Sequence, residues 1–128
     1  QIIEFNSTDS LLYMPYSQER LDGVQSDTQS KEALNQVKNR LNKSATNFFE
    51  ASIKAHKLDA VLSINNDHAP YAAIAFYPCL AVSMGYYEAG EPANLTFIAP
   101  SFSEAKLLSM AAAYEAVSKH RKLPKGYD

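Results

Sequence analysis

The sequence is poor in the residues that would give a small chain covalent or metallic support. A single cysteine, Cys79, excludes an internal disulfide framework and any cysteine-rich zinc site. Because Cys79 lies within an apolar run, it reads as a small buried hydrophobe rather than a nucleophile. The three histidines, His56, His68 and His120, lack the close spacing of a metal-binding pair. No cofactor is implied.

Positive charge is not in excess either. Twelve Lys and Arg against fourteen Asp and Glu leave a net charge near −2 and a pI near 5.9. Without a basic face there is nothing to displace counterions from phosphates, so direct nucleic-acid binding is not expected. No apolar run approaches the roughly 18 residues of a membrane span. Residues 1–25 lack the basic start and unbroken apolar stretch of a signal peptide. A first residue that is Gln rather than Met suggests a trimmed or processed chain, and a cytoplasmic setting is favoured.

What is present suits a globular protein. At 128 residues the chain is long enough for one domain with a real core and too short for two ordinary ones. Hydrophobic residues make up 46% and charged ones 20%, the usual balance for such a core. The expected organisation is a single domain: a helical or irregular lead-in over residues 1–27, a long helix over 28–57, then strands and a final helix over 58–128.

In the lead-in, Leu11, Leu12, Tyr13 and Met14 form an apolar cluster that Pro15 closes. Residues 17–21 suit a further helical turn or two, stopped at Gly23. Leu34, Val37, Leu41, Ala45, Phe48 and Ser52 or Ile53 then recur at helical spacing, which predicts one apolar stripe. At about 1.5 Å per residue that helix is roughly 40 Å long, more than a chain this small needs. A two-stranded coiled coil is the rival, but Asn35, Asn39, Asn42 and Asn47 are poor helix formers and the flanking charge pattern is missing. An amphipathic helix lying along a larger body fits better.

Residues 60–64 form a short apolar run consistent with a buried parallel strand. Residues 65–70 have loop composition, and the apolar stretch from Tyr71 to Tyr77 suits two helical turns ended by Pro78. Residues 80–84 and 93–99 read as strands joined by a hairpin rich in Gly, Glu and Pro. Ser101 and Glu104 are spaced as a capping box for a last helix reaching about His120. Its apolar stripe would be Leu107, Met110 or Ala111, Tyr114 and Val117. Lys119, His120, Arg121 and Lys122 would complement the dipole at its end. The expected fold is therefore α/β: a short mixed sheet of about three strands packed by the long helix and the final helix.

The order of these segments resembles part of the amidase signature family. The resemblance rests on Ile2-Ile3-Glu4-Phe5-Asn6, Tyr16-Ser17-Gln18-Glu19-Arg20-Leu21, Leu58-Asp59-Ala60-Val61-Leu62 and Asn66-Asp67-His68. Further along it rests on Ala73-Ile74-Ala75-Phe76-Tyr77-Pro78, Met84-Gly85-Tyr86 and Ser103-Glu104-Ala105-Lys106-Leu107-Leu108. No one motif is specific; their joint order and spacing carries the likeness, and it points to the C-terminal portion of such a protein. The chain departs from the family in four places. Phe76 stands where the family usually has Gly before Tyr-Pro. Ser83 replaces a common proline, Asn94 replaces a glycine common in the third strand, and the loop between Ile64 and Ala72 is shortened.

The resemblance implies an amidase, or a protein like the amidase component of glutamyl-tRNA(Gln) amidotransferase, acting on carboxamide C–N bonds. Such enzymes use a serine nucleophile, a second serine on a cis peptide and a lysine base, within a glycine- and serine-rich stretch. An alkoxide needs a neutral base beside it and backbone amides around the developing oxyanion. Here four glycines are scattered at positions 23, 85, 90 and 126. The chain alone is therefore expected to be inactive, with no catalytic residue assigned. By the same resemblance Asn66, Asp67 and His68 are candidate substrate-binding residues, Asp67 as an anchor for a substrate amino group.

Other patterns read more plainly. Ser103 and Lys106 match Ser-x-x-Lys, but the partner motifs of that enzyme class are absent. Asp67 and His68, being adjacent, are poorly placed to act as an acid–base couple and suit a loop-capping role. Sequons at Asn6, Asn42 and Asn94 occur, the last two in an expected helix and strand where glycosylation is improbable. Tyr86 and Tyr87 suit packing. An uncovered edge strand and apolar helix face would leave the chain to dimerise or to bind a missing partner, the upstream amidase portion. A small amide substrate would be met only in that larger context. The alternatives are a stand-alone interaction module and one half of a split amidase.

Overall fold

The computed structural model describes residues 1–8 and 17–123. The apolar cluster Leu11–Met14, Pro15 and the Tyr16 of the lead-in motif lie outside the described residues, as do Pro124 and Gly126. The chain divides into two compact units, residues 1–36 and 37–128.

The first unit holds α1 (Ile2–Ser7), α2 (Glu19–Ser26) and the start of α3 (Lys31–His56). Neither α1 nor α2 contains a buried residue. Asn6 donates through Nδ2 to Gln18 Oε1 at 3.1 Å, and Ser30 Oγ accepts the Ala33 amide at 3.1 Å at the opening of α3. Gly23 lies inside α2 and does not stop it.

The second unit contains the rest of α3, then β1 (Val61–Ile64), α4 (Ala69–Ala75), β2 (Cys79–Tyr86), β3 (Pro92–Ile98) and α5 (Glu104–Ser118). Its three strands form one sheet in the order β1-β3-β2, every pairing antiparallel. The parallel reading of residues 60–64 is thus corrected. A five-residue connection can join β2 and β3 only as a hairpin, and β3 then lies between β1 and β2. Those two strands run the same way, but each pairs with β3 instead of with the other.

Register decides the two faces of the sheet. Leu62, Phe97 and Leu80 stand opposite one another, as do Ile64, Leu95 and Val82. On this side α5 lays Leu107 and Ala111 over Val82, Phe97 and Ala99, with Met110 and Tyr114 at the margin. The other side alternates Val61, Ile98 and Cys79 with Ser63, Thr96 and Ala81. There Ile98 packs with Ala45 and Phe49 of α3 and with Ala72, Ala75 and Tyr77.

The stripe of α3 differs by one residue from the periodic expectation. Ala45, Phe49 and Ile53 face the core, Phe49 being 1% exposed, whereas Phe48 is 52% exposed. A run of two phenylalanines satisfies either phase of a 3.6-residue period, and only the packed partner selects between them. Phe48 instead stacks on His68 and Tyr71 at ring-centroid distances of 5.9 and 5.7 Å. In α5 the stripe holds through Tyr114 but not Val117, which is 85% exposed.

Helix ends also differ from the sequence reading. Ser101 and Glu104 do not form a capping box: α5 starts at Glu104, Ser103 is its N-cap without a side-chain bond, and Ser101 Oγ donates to the Phe76 carbonyl at 2.7 Å. Lys119 to Lys122 do not occupy the last turn either. The helix stops at Ser118, and Lys119 turns left-handed (φ 51°), its amide bonded to the Glu115 carbonyl. The left-handed cap of α4 is Phe76 (φ 60°, ψ 36°). Its amide reaches Ala73 O at 3.2 Å while that of Tyr77 reaches Ala72 O at 2.9 Å. Two such bonds around a left-handed residue are a Schellman ending, where glycine is favoured because it lacks the clashing Cβ.

Candidate functional site

At the free end of the polar sheet face, beyond the Ile98 cluster, lies a cavity of about 480 Å³. Asn65, Asn66, Asn94 and Thr96 supply its polar lining; Cys79, Ala69, Ala81 and Pro92 supply the remainder. The alternation of β3 places Asn94 and Thr96 on the same side as Ile98.

Asn65 builds the rim. It follows β1 in a left-handed conformation (φ 49°), which asparagine tolerates better than most residues. Its amide donates to the Asn94 carbonyl at 2.8 Å, and its Oδ1 accepts the Asn94 amide at 2.9 Å. Nδ2 donates to the Tyr87 hydroxyl at 3.3 Å, and the Thr96 hydroxyl donates to the Asn65 carbonyl. Asn65 thus continues the β1–β3 ladder with its side chain, and its polar atoms are committed. Tyr87 is accordingly a structural partner at the hairpin, as is Tyr86, whose hydroxyl donates to Lys122 O at 2.7 Å.

The three sequence candidates separate. Asn66 is exposed and lines the cavity. Asp67 is exposed and lies outside the lining, its amide donating to Ile64 O at 3.2 Å. His68 turns the other way, into a clamp with the buried Ser63: Nδ1 lies 2.9 Å from Ser63 Oγ, which also accepts the His68 amide at 3.2 Å. With Phe48 stacked and Tyr71 tilted against it, His68 fixes the entry to α4.

Cys79 corrects another expectation: it is exposed, not buried. One side of the thiol opens to the cavity, while desolvation by the protein on the other pushes its pKa up. A thiol so shifted stays protonated and is a poor nucleophile. Ser103 and Lys106 form no reactive couple, since Lys106 Nζ is paired with Asp59 Oδ1 at 2.7 Å. Among the described residues there is no cluster of three metal-ligating side chains, and no helix is long and apolar enough to cross a membrane. Asn42 has its Nδ2 on the Ile74 carbonyl at 2.7 Å, so the side chain of that sequon is engaged in the fold.

Known proteins with this arrangement agree among themselves. No family model matches the sequence. A probable amidase of Arabidopsis thaliana is 38% identical over 79 residues, 62% of this chain and 15% of that protein. The crystal structure of an amidase family protein from Bacillus anthracis superposes with a TM-score of 0.84 and 35% identity over 97% of this chain. Nearly all of this chain matches one part of an amidase family protein. The native peptide amidase of Stenotrophomonas maltophilia, at 27% identity, gives a TM-score of 0.83 over 99% of the chain. These solved amidases are longer: the chain spans 25% of the first and 29% of the second.

Sequence reasoning singled out Asn66, which lines the cavity, did not connect Asn65, Thr96 or Cys79 with it, and noted Asn94 as a departure from the family and as a sequon. A signal was available. Asn94-x-Thr96-x-Ile98 alternates polar and apolar residues on one face of a strand, which marks where a sheet face passes from core to open surface.

Proposed function

We propose that this chain is the C-terminal scaffold and cavity-wall segment of an amidase or glutamine-dependent amidotransferase acting on carboxamide C–N bonds. The serine nucleophile, the cis-peptide serine and the lysine base are supplied by residues outside these 128. The observation that carries this reading is the extent of the match: nearly all of the chain superposes on an amidase of which it spans 25%. Asn66 contributes to the substrate cavity; Asp67 and His68 act at its approach, Asp67 as a charged anchor and His68 as the clamp that sets the loop.

The uncovered surface supports the same reading. Leu62 and Ile64 share the α5 side of the sheet yet are 53% and 43% exposed, because α5 packs over β2 and β3. Together with the open edge of β1 they form a face that the rest of an amidase body would cover. A stand-alone module or half of a split amidase would use that face for a separate polypeptide. The coding sequence upstream of Gln1 separates these readings: a lysine followed by a Ser-Gly-Gly-Ser-Ser stretch in frame supports the segment, and a start codon supports the module. The chain alone is expected to show no turnover on simple primary amides. Hydrolysis by the purified 128 residues would overturn the assignment of catalysis to other residues.

A further inference from the structure

We propose that the hollow between the end of α5 and β2 binds a small oxyanion of the phosphate type, free or as the terminal group of a phosphomonoester. It shares no lining residue with the cavity beside Asn65 and does not rest on the amidase reading.

Three observations carry it. First, about 150 Å³ is enclosed by Ser83 of β2, Glu115 and Ser118 of α5, and Lys119, His120 and Arg121 just beyond the helix. The turn around it is held at both ends. Lys119 is left-handed (φ 51°) with its amide on the Glu115 carbonyl, and the Tyr86 hydroxyl donates to the Lys122 carbonyl at 2.7 Å. Second, Ser118 lines the hollow, yet its Oγ is shut off from bulk water and has no hydrogen-bond partner. It is the one buried side-chain oxygen or nitrogen of which this is true among the described residues. Buried polar groups are nearly always satisfied, so this hydroxyl calls for a partner that the protein does not supply. Third, Lys119 and Arg121 line the hollow without an ion pair among the described residues, against the single carboxylate of Glu115.

Around one centre, then, stand the Ser118 and Ser83 hydroxyls, the Lys119 ammonium, the Arg121 guanidinium and the His120 ring, all able to donate. An oxyanion accepts from every one of them. Bonds from an ammonium or guanidinium to such an ion are roughly twice as strong as neutral ones, and the guanidinium fork fits paired phosphate oxygens. Glu115 and the carbonyl end of α5 oppose an anion, and the two side-chain cations offset them. Ser83 is the position that sets this chain apart. The resemblance in sequence puts proline there, which brings neither a hydroxyl nor an N–H.

The test titrates the ¹⁵N-labelled 128-residue chain with sodium phosphate and, separately, with glycerol 3-phosphate. Sodium chloride at matched ionic strength serves as the control for screening. Either phosphate should give saturable shifts of the Ser83, Ser118, Lys119 and Arg121 amides that chloride does not give. The tighter of the two tells whether the site takes the free ion or the ester. Arg121→Gln, at an exposed position, should weaken binding about tenfold, the scale of one charge-assisted hydrogen bond. Ser118→Ala separates a ligand role from a structural one. Without phosphate its urea midpoint should equal or exceed that of the parent chain, because an unsatisfied buried hydroxyl is removed. With millimolar phosphate it should lose most of the midpoint gain that binding gives the parent. If Ser118→Ala fails to fold or is less stable without phosphate, the hydroxyl has a structural role and the inference falls. It falls equally if neither phosphate binds, if chloride shifts the same amides, or if binding survives Arg121→Gln undiminished.

Discussion

Phe76 is where the chain departs most visibly from the family pattern, and its backbone explains why glycine suits the position. A left-handed conformation brings Cβ against the carbonyl and costs roughly 1–2 kcal/mol for a non-glycine residue. Glycine costs about 0.5–1 kcal/mol more chain entropy on folding. The side chain gains little in return, being 76% exposed. Phe76→Gly should therefore stabilise the chain by about 0.5–1 kcal/mol, seen as a higher urea midpoint at unchanged slope. A lower midpoint would mean that the ring makes stabilising contacts outweighing the strain.

Tyr77, next along, is buried against Phe49 with ring centroids 5.6 Å apart. Burial first, and then the Glu50 carboxylate, push its hydroxyl pKa up from 10.0. A raised folded-state value means that stability is fully present below the unfolded pKa and is lost as pH rises through the folded one. Thermal unfolding should therefore show a decline above pH 10 that is smaller in Tyr77→Phe. Identical alkaline limbs in the two proteins would contradict the burial argument.

Among the elements, α3 shows what periodicity can and cannot resolve. That a long amphipathic helix exists follows from apolar spacing over about five turns, from Leu34 to Ile53. Which of Phe48 and Phe49 enters the core does not, because adjacent identical residues leave the phase open. Phe49→Ala should cost about 3–5 kcal/mol, as for a fully buried ring. Phe48→Ala should cost about 1 kcal/mol, mostly the stacking on His68 and Tyr71. Chemical denaturation of the pair checks the register directly.

The sheet was legible as three strands at nearly their observed positions, and the hairpin from its Gly, Glu and Pro. Strand direction for β1 was not legible. An apolar run of five residues looks the same whether a strand pairs parallel or antiparallel, and here β3 inserts between β1 and β2. Ser101 and Glu104 misled for a similar reason. Their spacing fits a cap, but Ser101 Oγ is drawn to the Phe76 carbonyl, a partner 25 residues away that no local pattern shows.

For the second unit as a whole, its surface sets the behaviour to expect. Leu62 and Ile64 on an open edge strand are the kind of exposed apolar row that pairs with another chain. Sedimentation velocity of the isolated protein should show concentration-dependent association, reduced in Leu62→Asp. That substitution removes apolar surface at a position that neighbours Phe97 across the strand pair but lies outside the buried cluster. A monomer that stays compact at millimolar concentration would show that this face needs no cover.

Composition and local pattern determined that the chain is α/β and that a long helix leads into three strands and a last helix, segments whose order resembles that of amidases. Such features depend on spacing within a few residues, which sequence displays. The tertiary structure alone decided that the sheet is antiparallel, that Phe49 and not Phe48 is core, and that Cys79 opens to a cavity. It also separated the three candidates, turning Asn66 toward that cavity and His68 toward Ser63. Those outcomes depend on which face of one element meets a distant partner, and a distant partner leaves no mark in local spacing.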